Sequence, residues 1–284
     1  MTETTAETPK LGQFGVWRAA PFFAPELGTA IEEAGYGTLW IGGSPRADLV
    51  VAERLLDATS TITVATGIVN IWTVPAGEIA ESFHRLEAKH PGRFLLGIGV
   101  GHPEQPGLNY SKPYSALVEY LDILDAAGVP AGRRVLAALG PKVLELSAAR
   151  AAGAHPYLTT PQHTREAREL LGPDVLIAPE HKVVLDTDTE RARSIGRAAV
   201  ENPYLHLRNY VNNLKRLGYT DAQIDNGGSD DLIDALAVHG EPEYVAGKLR
   251  EHLDAGADHV AVQVLPMADD PLPGLRALAG PLGL

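Results

Sequence analysis

The stretch Ile62-Thr-Val-Ala-Thr-Gly-Ile-Val-Asn-Ile-Trp72 decides the fold, because it is apolar and rich in β-branched residues along its length. Such a run predicts a strand buried on both faces, as in a parallel sheet covered by helices. An amphipathic helix is predicted next, near Ala76–Lys89, and then a second apolar run, Phe94–Gly101. A strand, a helix and a further strand in succession predict a parallel βαβ unit.

The same alternation extends in both directions from this unit. Eight apolar runs are separated by helical segments: Leu11–Trp17, Thr38–Gly43, Ile62–Trp72, Phe94–Gly101, Arg134–Leu139, His155–Thr159, Asp174–Leu185 and His259–Leu265. An open doubly wound sheet usually has about five or six strands, so this number favours a closed barrel. We therefore predict an α/β protein that forms one (β/α)8 TIM barrel over residues 11–284, after a disordered tail at residues 1–10.

Two stretches near the end of the chain are too long for a single crossover helix. They are the long helical stretch Thr189–Leu217 and the Asp- and Gly-containing segment Thr220–Gly240. Both precede the last predicted helix–strand pair. We predict that they form a helical insertion between strands 7 and 8.

Composition excludes several classes of function. The chain of 284 residues has 45% hydrophobic residues, no cysteine and a formal net charge of -12. The absence of cysteine excludes disulfides and cysteine nucleophiles and suits a reducing cytoplasm. The negative charge disfavours nucleic acid and anionic membranes as partners. No apolar window is long enough to span a bilayer, and the polar first ten residues do not resemble a signal peptide.

Two glycine-containing strands are candidates for a ligand-binding backbone. Gly67 and the polar Asn70 interrupt a β-branched strand, which indicates a bulge or the close approach of a ligand. A bulge that only helps to close the barrel is the alternative interpretation. In Gly97-Ile-Gly-Val-Gly101 alternate glycines leave one strand face without side chains. A dinucleotide-binding fingerprint is disfavoured, because Pro103 and Pro106 follow where that motif requires a helix.

The three tryptophans fall in or just after the first three predicted strands. In an α/β barrel the reactive face is at the carboxyl ends of the strands. Trp17 and Trp72 are therefore predicted to wall a pocket for a flat aromatic ligand. Trp40 can be explained equally well by packing between a strand and a helix.

Two successive helix starts could bind a phosphate. In Ala138-Leu-Gly-Pro-Lys142 a proline after Gly140 leaves free backbone N–H groups at the positive end of a helix. Leu158-Thr-Thr-Pro161 repeats this arrangement one unit later, with Thr159 or Thr160 as the cap. Ordinary helix starts are the alternative. Together the two segments predict the phosphate end of a cofactor site.

His102 is the best candidate for proton transfer, because it ends the fourth predicted strand and titrates near neutral pH. Glu104 is the alternative acid. His84, His90 and His252 lie on or after predicted helices and are expected at the outer surface. No metal-ligand spacing and no Gly-x-Ser-x-Gly elbow occurs in the sequence, so a metal site and a serine hydrolase are not expected.

These segments together resemble the luciferase-like monooxygenase superfamily and, within it, the coenzyme F420-dependent oxidoreductases found mostly in actinobacteria. The resemblance lies in Leu39-Trp-Ile-Gly-Gly-Ser44, Ala65-Thr-Gly-Ile-Val-Asn70, His90-Pro-Gly-Arg-Phe-Leu-Leu-Gly-Ile-Gly-Val-Gly101, Ala138-Leu-Gly-Pro-Lys142 and Asp254-Ala-Gly-Ala-Asp-His-Val260. The block that ends at Gly101 is the most specific. The others are weak when taken singly.

The resemblance implies a barrel in which a deazaflavin ring lies on a bulge after the third strand. That bulge often contains a non-prolyl cis peptide, which would fall at Gly67–Ile68 here. It also implies phosphate binding at the ends of the fifth and sixth strands and hydride transfer at C5 of the deazaflavin. Cofactor contacts are accordingly expected at Gly43, Gly67, Ile68, Val69, Asn70, Gly99, Val100, Gly101, Leu139, Gly140, Pro141 and Thr159.

The chain also departs from the family pattern. Relatives that oxidise sugar phosphates or alcohols tend to carry Asp-His after the second strand, where this chain has Gly43-Ser44. They carry a glutamate after the fourth-strand glycines, where this chain has His102. The expected function is F420-dependent hydride transfer to or from a small organic substrate. An FMN-dependent monooxygenase and a non-catalytic flavin-binding barrel are the alternatives, and a homodimer is the assembly that the resemblance suggests.

Overall fold

The fold is taken from a computed structural model, which describes residues 7–102 and 110–284. Glu104, the alternative acid, lies outside the described residues. The strands are β1 (Phe14–Ala19), β2 (Thr38–Gly42), β3 (Thr63–Thr66), β4 (Val69–Asn70), β5 (Phe94–Gly99), β6 (Arg134–Leu136), β7 (Gly153–Ala154), β8 (Leu176–Ile177), β9 (Glu180–Val184), β10 (Ala237–His239) and β11 (Val260–Val264).

Helices follow most of the strands, and several of them start at a proline, whose fixed φ suits the first helical turn. They are α1 (Pro25–Glu33), α2 (Val50–Ala58), α3 (Ala76–Lys89), α4 (Pro113–Ala126), α5 (Pro141–Arg150), α6 (Pro161–Leu171), α7 (Thr189–Glu201), α8 (Arg208–Arg216), α9 (Asp221–Ile224), α10 (Asp230–Leu236), α11 (Pro242–Asp254) and α12 (Leu272–Leu282). Of the helices described, none has the length and apolar character needed to cross a bilayer.

The described strands form one parallel sheet in the order β10-β9-β11-β1-β2-β3-β5-β6-β7-β8, with β4 paired to β5. The sheet curls, because β8 and β9 near its two ends are consecutive parts of one extended segment, 176–184. Backbone N–H groups of this segment donate to the far side of the sheet: Ala178 to Ala154 and Glu180 to Pro156. The N–H of Ala261 on β11 in turn donates to the carbonyl of Pro179.

Side chains on the two faces of this sheet belong to different hydrophobic clusters. One cluster takes an inward-facing residue from successive strands: Trp17, Trp40, Ala65, Leu95, Val135, Ala178 and Ala261. The larger cluster packs the opposite faces of the strands against the helices and includes Val16, Leu39, Val64 and Leu96. This alternation explains why the strands are apolar throughout. Trp40 is therefore an interior residue, and its packing between a strand and a helix is not observed.

Prolines move the sixth and seventh strands from their predicted bounds. The sixth was predicted at His155–Thr159 but lies at Gly153–Ala154, and Pro156 follows with no N–H for a ladder. The seventh is divided into β8 and β9 around Pro179. Residues 155–159 consequently form a loop at the rim of the sheet.

The region between β9 and β11 contains the helices α7 to α11 and the strand β10. The stretch predicted as one helix, Thr189–Leu217, divides into α7 and α8 with a 3₁₀ turn, Tyr204–His206, between them. Pro203 lies at this break, and its ring is incompatible with a helix interior. The strand β10, which was not predicted, pairs in parallel with β9.

His252 is buried, so its expected position at the outer surface is wrong. It lies on the face of α11 that packs inward, with its Nε2 3.0 Å from Nδ1 of His181 and its Nδ1 2.8 Å from Oγ1 of Thr164. Burial lowers the pKa of His181 to about 4 and holds the pKa of His252 well below its usual value. His84, in contrast, is exposed as expected.

Candidate functional site

The third strand contains a one-residue bulge. Ala65 pairs with Leu95 and Val69 pairs with Ile98, so the three residues between the first pair and the second face only two on β5. One extra residue in a strand defines a β-bulge. The bulge predicted at Thr66–Val69 is confirmed, and the Gly67–Ile68 peptide is cis, also as predicted.

Hydrogen bonds from Thr66 replace the ladder where the bulge interrupts it. The Thr66 hydroxyl donates to the carbonyl of Gly97 and accepts from its N–H, both at 2.8 Å. The carbonyl of Gly67 accepts from the indole Nε1 of Trp17 at 3.1 Å. The bulge is therefore held by the backbone of β5 and by the Trp17 side chain of β1.

The alternate glycines of β5 accommodate this bulge. A Cβ added at Gly97 would lie 1.8 Å from the carbonyl oxygen of Thr66. One added at Gly99 would lie 2.9 Å from Cδ1 of Ile68 and from Cβ of Ala137. The space that the sequence pattern left for a bulky group is thus filled by the protein's own third strand. A cofactor contact at Gly99 stays a prediction.

A column of aromatic rings lies under the bulge inside the barrel. The rings of Trp40 and His155 stack with centroids 4.0 Å apart, and Trp40 Nε1 donates to Nε2 of His259 at 2.9 Å. Burial lowers the pKa of both histidines to about 4, so both rings are neutral at pH 7. A Cβ at Gly67 would come within 3.0 Å of His155 Nε2, so a larger residue there would also disturb packing.

The two predicted phosphate-binding segments start the neighbouring helices α5 and α6. Neither Gly140 nor Thr160, the N-cap residues, provides a side-chain cap. The hydroxyls of Thr159 and Thr160 are buried and have no hydrogen-bond partner among the described residues. Arg216 donates to the carbonyl of Leu139, and its guanidinium nitrogens would lie 3.8 Å from a Cβ at Gly140. Free N–H groups, unused hydroxyls and a nearby cation suit an anionic group.

Five rings form a row across the mouth of the barrel, which we call the aromatic row: Trp17, Tyr157, Tyr204, Tyr210 and His102. Consecutive ring centroids are 5.1, 5.4, 5.0 and 5.4 Å apart. The residues come from β1, from the loop after β7, from the 3₁₀ turn, from α8 and from the segment after β5. The row brings the predicted acid into contact with the helices between β9 and β11.

A buried ion pair lies beside the row. Lys182 Nζ donates to Glu180 Oε1 at 3.0 Å and lies 3.9 Å from the centroid of the Tyr157 ring. The other Glu180 oxygen accepts from the N–H of Leu158 at 3.0 Å. Burial raises the pKa of Glu180 and lowers the pKa of Lys182, while their mutual attraction opposes both shifts.

A cavity of about 560 Å³ opens next to this pair. It lies at the carboxyl ends of β1, β9 and β11 and is covered by α7 and the segment that follows. Its polar lining residues are Tyr157, Lys182, Ser194, Asn202, Tyr204 and Gln263. Its apolar walls include Trp17, Ile195, Leu265 and Met267. The position and lining are those of a small-molecule pocket.

The predicted site residues divide between these features. Trp17 walls the cavity, but Trp72 does not, since its Nε1 donates to the carbonyl of Val100 and its ring contacts Tyr110. The remaining predicted residues lie at the carboxyl ends of β2, the bulge, β5, β6 and the loop after β7: Gly43, Asn70, Gly101, Leu139, Pro141 and Thr159.

Sequence analysis missed Glu180, Lys182, Gln263 and the three tyrosines of the aromatic row. A signal for the ion pair was present, because two charged residues at i and i+2 in an apolar run share one strand face. The tyrosines of the segment 203–210 carried no such signal.

Part of the chain is similar in sequence to a known protein family. Residues 12–135 match the model of the family described as luciferase-like monooxygenase. A search of curated proteins found no significant match.

Similar solved structures extend over nearly the whole chain. An F420-dependent secondary alcohol dehydrogenase, in complex with an F420-acetone adduct, is 14% identical with a TM-score of 0.72, covering 95% of this chain and 98% of the other. The F420-dependent tetrahydromethanopterin reductase of Methanopyrus kandleri is 17% identical with a TM-score of 0.68 and the same coverage.

A third structure, the FMN-bound oxygenating constituent of 3,6-diketocamphane monooxygenase from Pseudomonas putida, is 15% identical with a TM-score of 0.66, covering 94% and 96%. At these identities the likeness concerns the fold, which the F420-dependent and FMN-dependent proteins share. The part of the chain from residue 12 to residue 135 therefore matches the luciferase-like monooxygenase family in sequence, and the whole chain resembles members of that family in fold.

Proposed function

We propose that this protein is an oxidoreductase that transfers a hydride between coenzyme F420 and a small organic substrate. The observation that carries the proposal is the pair of uncapped helix starts at Gly140 and Thr160, with the buried, unused hydroxyls of Thr159 and Thr160 beside them. When bound, the deazaflavin supplies hydride chemistry at its C5 position.

The residues of this chain would then have distinct roles. Leu139, Gly140, Pro141 and Thr159 would hold the phosphate end, where helix N–H groups provide local positive charge in a protein of net charge -12. The bulge Gly67–Asn70, with Gly43 and residues 99–101, would hold the ring. The helices α7 to α10 would serve as the insertion predicted between strands 7 and 8 and would exclude water from the mouth. A homodimer is proposed only from the family resemblance.

Direct titration tests the choice of cofactor. We expect F420 to bind more tightly than FMN when both are titrated at one salt concentration by isothermal calorimetry. The fold similarity to two F420-dependent enzymes supports this expectation. Equal or stronger FMN affinity would contradict this expectation and favour the second candidate function, an FMN-dependent monooxygenase. The fold similarity to the FMN-bound structure supports that second candidate.

Thr159→Val is expected to weaken cofactor binding at least about tenfold, since a hydrogen bond to a charged group contributes about 1.5–3 kcal/mol. Stability without cofactor should not fall, because the hydroxyl has no partner within the described chain. Thr164→Val is the matched control on the helix that follows. Its hydroxyl contacts His252, so it should lower stability and leave affinity unchanged. The reverse pattern would remove the phosphate assignment.

His102→Ala is expected to lower turnover about 100-fold, within the usual range for acid–base catalysis, with little change in cofactor affinity. His102 follows β5 and its ring contacts Tyr210, within the aromatic row that leads to the cavity. The measurement is the rate of cofactor reduction by an accepted alcohol, with the exposed His84→Ala as the control. Unchanged turnover in His102→Ala would assign the proton to another group. If no substrate reacts although the cofactor binds, the third candidate, a non-catalytic flavin-binding barrel, is favoured.

A further inference from the structure

The side-chain hydroxyls that line the cavity form a chain of hydrogen bonds in which each donates to the next group. The Tyr204 hydroxyl donates to the Tyr157 hydroxyl at 3.2 Å, which donates to Oε1 of Gln263 at 2.9 Å. Both hydroxyl protons are therefore in use. The Gln263 side chain is almost completely buried, and within residues 7–102 and 110–284 nothing accepts from its Nε2. Gln263 thus offers the cavity a donor that lacks an acceptor.

Lys182 provides a second donor. Of its three N–H groups, one is used by Glu180, and the ammonium otherwise faces the rings of Tyr157 and Tyr204 at 3.9 and 5.2 Å. Among the described residues that line the cavity, Lys182 is the single charged one. Glu180 balances its charge within the same strand, so the cavity has donors but no net charge to offer a ligand.

We propose that this cavity binds the substrate and selects a small, uncharged, largely apolar compound with one carbonyl or hydroxyl oxygen, which accepts hydrogen bonds from Gln263 Nε2 and Lys182 Nζ. The inference rests on the proposed function in that the bound compound is taken to be the substrate of the oxidoreductase. Binding of the compound to the cavity does not itself require the cofactor. The apolar remainder of the ligand lies against Trp17, Ile195 and Met267.

Anionic compounds are excluded by the same arrangement. A carboxylate or phosphate in the cavity would lose its hydration without gaining an unpaired cation, since the charge of Lys182 is already compensated by Glu180. A neutral carbonyl oxygen needs only donors, and two are present. The Glu180–Lys182 pair therefore determines the charge selectivity of the cavity as well as holding a donor in place.

The test uses the full-length protein without cofactor and two probes of equal ring size, cyclohexanone and cyclohexanecarboxylate, with dissociation constants from ligand-observed NMR. We expect cyclohexanone to bind at least about tenfold more tightly than the carboxylate, because a desolvated anion without a free cation is disfavoured. Equal binding of the two probes, or tighter binding of the carboxylate, would overturn the proposal. This comparison needs no variant.

Variants locate the interaction. Gln263→Met should weaken cyclohexanone binding about tenfold by removing the donor, whereas Gln162→Met on the surface of α6 should not change it. Glu180→Gln should raise carboxylate affinity about tenfold, because the charge of Lys182 is no longer compensated. Near-ultraviolet circular dichroism checks that each variant is folded. Unchanged cyclohexanone binding in a folded Gln263→Met would overturn the assignment of the donor.

The outcome is independent of the cofactor titration. Ketone binding to a chain that binds neither F420 nor FMN would leave this cavity as a ligand site and remove the proposed oxidoreductase function. F420 binding to a chain that fails the probe comparison would leave the oxidoreductase and remove this substrate class.

Discussion

Lys182→Met is expected to lower the free energy of unfolding by about 3–5 kcal/mol, because it leaves the buried Glu180 carboxylate without its cation. Glu180→Gln should lower the free energy of unfolding by a similar amount, because it leaves the buried Lys182 ammonium without a carboxylate partner. Both side chains are at most 1% exposed, so water cannot compensate either charge. Urea denaturation at pH 7, followed by circular dichroism, measures both losses.

The double variant Glu180→Gln/Lys182→Met separates the ion pair from packing. Its stability is expected within about 1 kcal/mol of the wild type, because neutral groups of similar shape replace both charges. The amide oxygen that Glu180→Gln introduces can still accept from the N–H of Leu158. Additive losses in the double variant would show that the two residues contribute by volume alone.

The pH dependence of Lys182→Met has a definite sign. Burial already raises the pKa of Glu180, and loss of Lys182 raises it further in the folded state. The folded variant then binds a proton that the unfolded chain releases above its own carboxyl pKa. Its stability relative to the wild type must therefore fall as the pH rises above that value. A stability difference that does not vary with pH would mean that Glu180 keeps its charge without Lys182.

Gly97→Ala is expected to lower the free energy of unfolding by about 3 kcal/mol or more and to abolish measurable F420 binding. The added Cβ would lie 1.8 Å from the Thr66 carbonyl oxygen, which is backbone and cannot move without displacing the bulge. Displacement of the bulge would also weaken the two hydrogen bonds between the Thr66 hydroxyl and the backbone of residue 97. Chemical denaturation and cofactor titration measure the two effects.

Gly247→Ala is the matched control for the same substitution. Gly247 lies on α11, where an added Cβ meets nothing within 4 Å. Alanine should stabilise the helix by about 0.5–1 kcal/mol and leave cofactor binding unchanged. If Gly97→Ala behaves like this control, β5 does not support the bulge in the way described.

Some features of the site could be predicted from the sequence and others could not. The bulge was predictable, because a glycine in a β-branched run is a local signal and the resemblance placed the unusual peptide at Gly67–Ile68. The role of Gly97 and Gly99 was not predictable, because alternate glycines on a strand leave space equally well for a cofactor or for a neighbouring strand. The predicted strand and helix bounds were wrong near Pro156, Pro179 and Pro203, because each of these prolines interrupts a run that is otherwise continuous in its apolar or helical pattern.

The sequence by itself determined the alternation of strands and helices, the parallel sheet, the bulge and the resemblance to the luciferase-like monooxygenase family, because these depend on periodicity, propensity and short motifs along the chain. Only the tertiary structure decided that His252 is buried, that Trp40 lies inside the barrel, and that Lys182 faces a cavity beside Gln263 and the aromatic row. These residues are distant along the chain, and their contacts arise only when the sheet curls and brings the carboxyl ends of its strands together. A periodic pattern shows which face of an element is buried, but it does not show which other element covers that face.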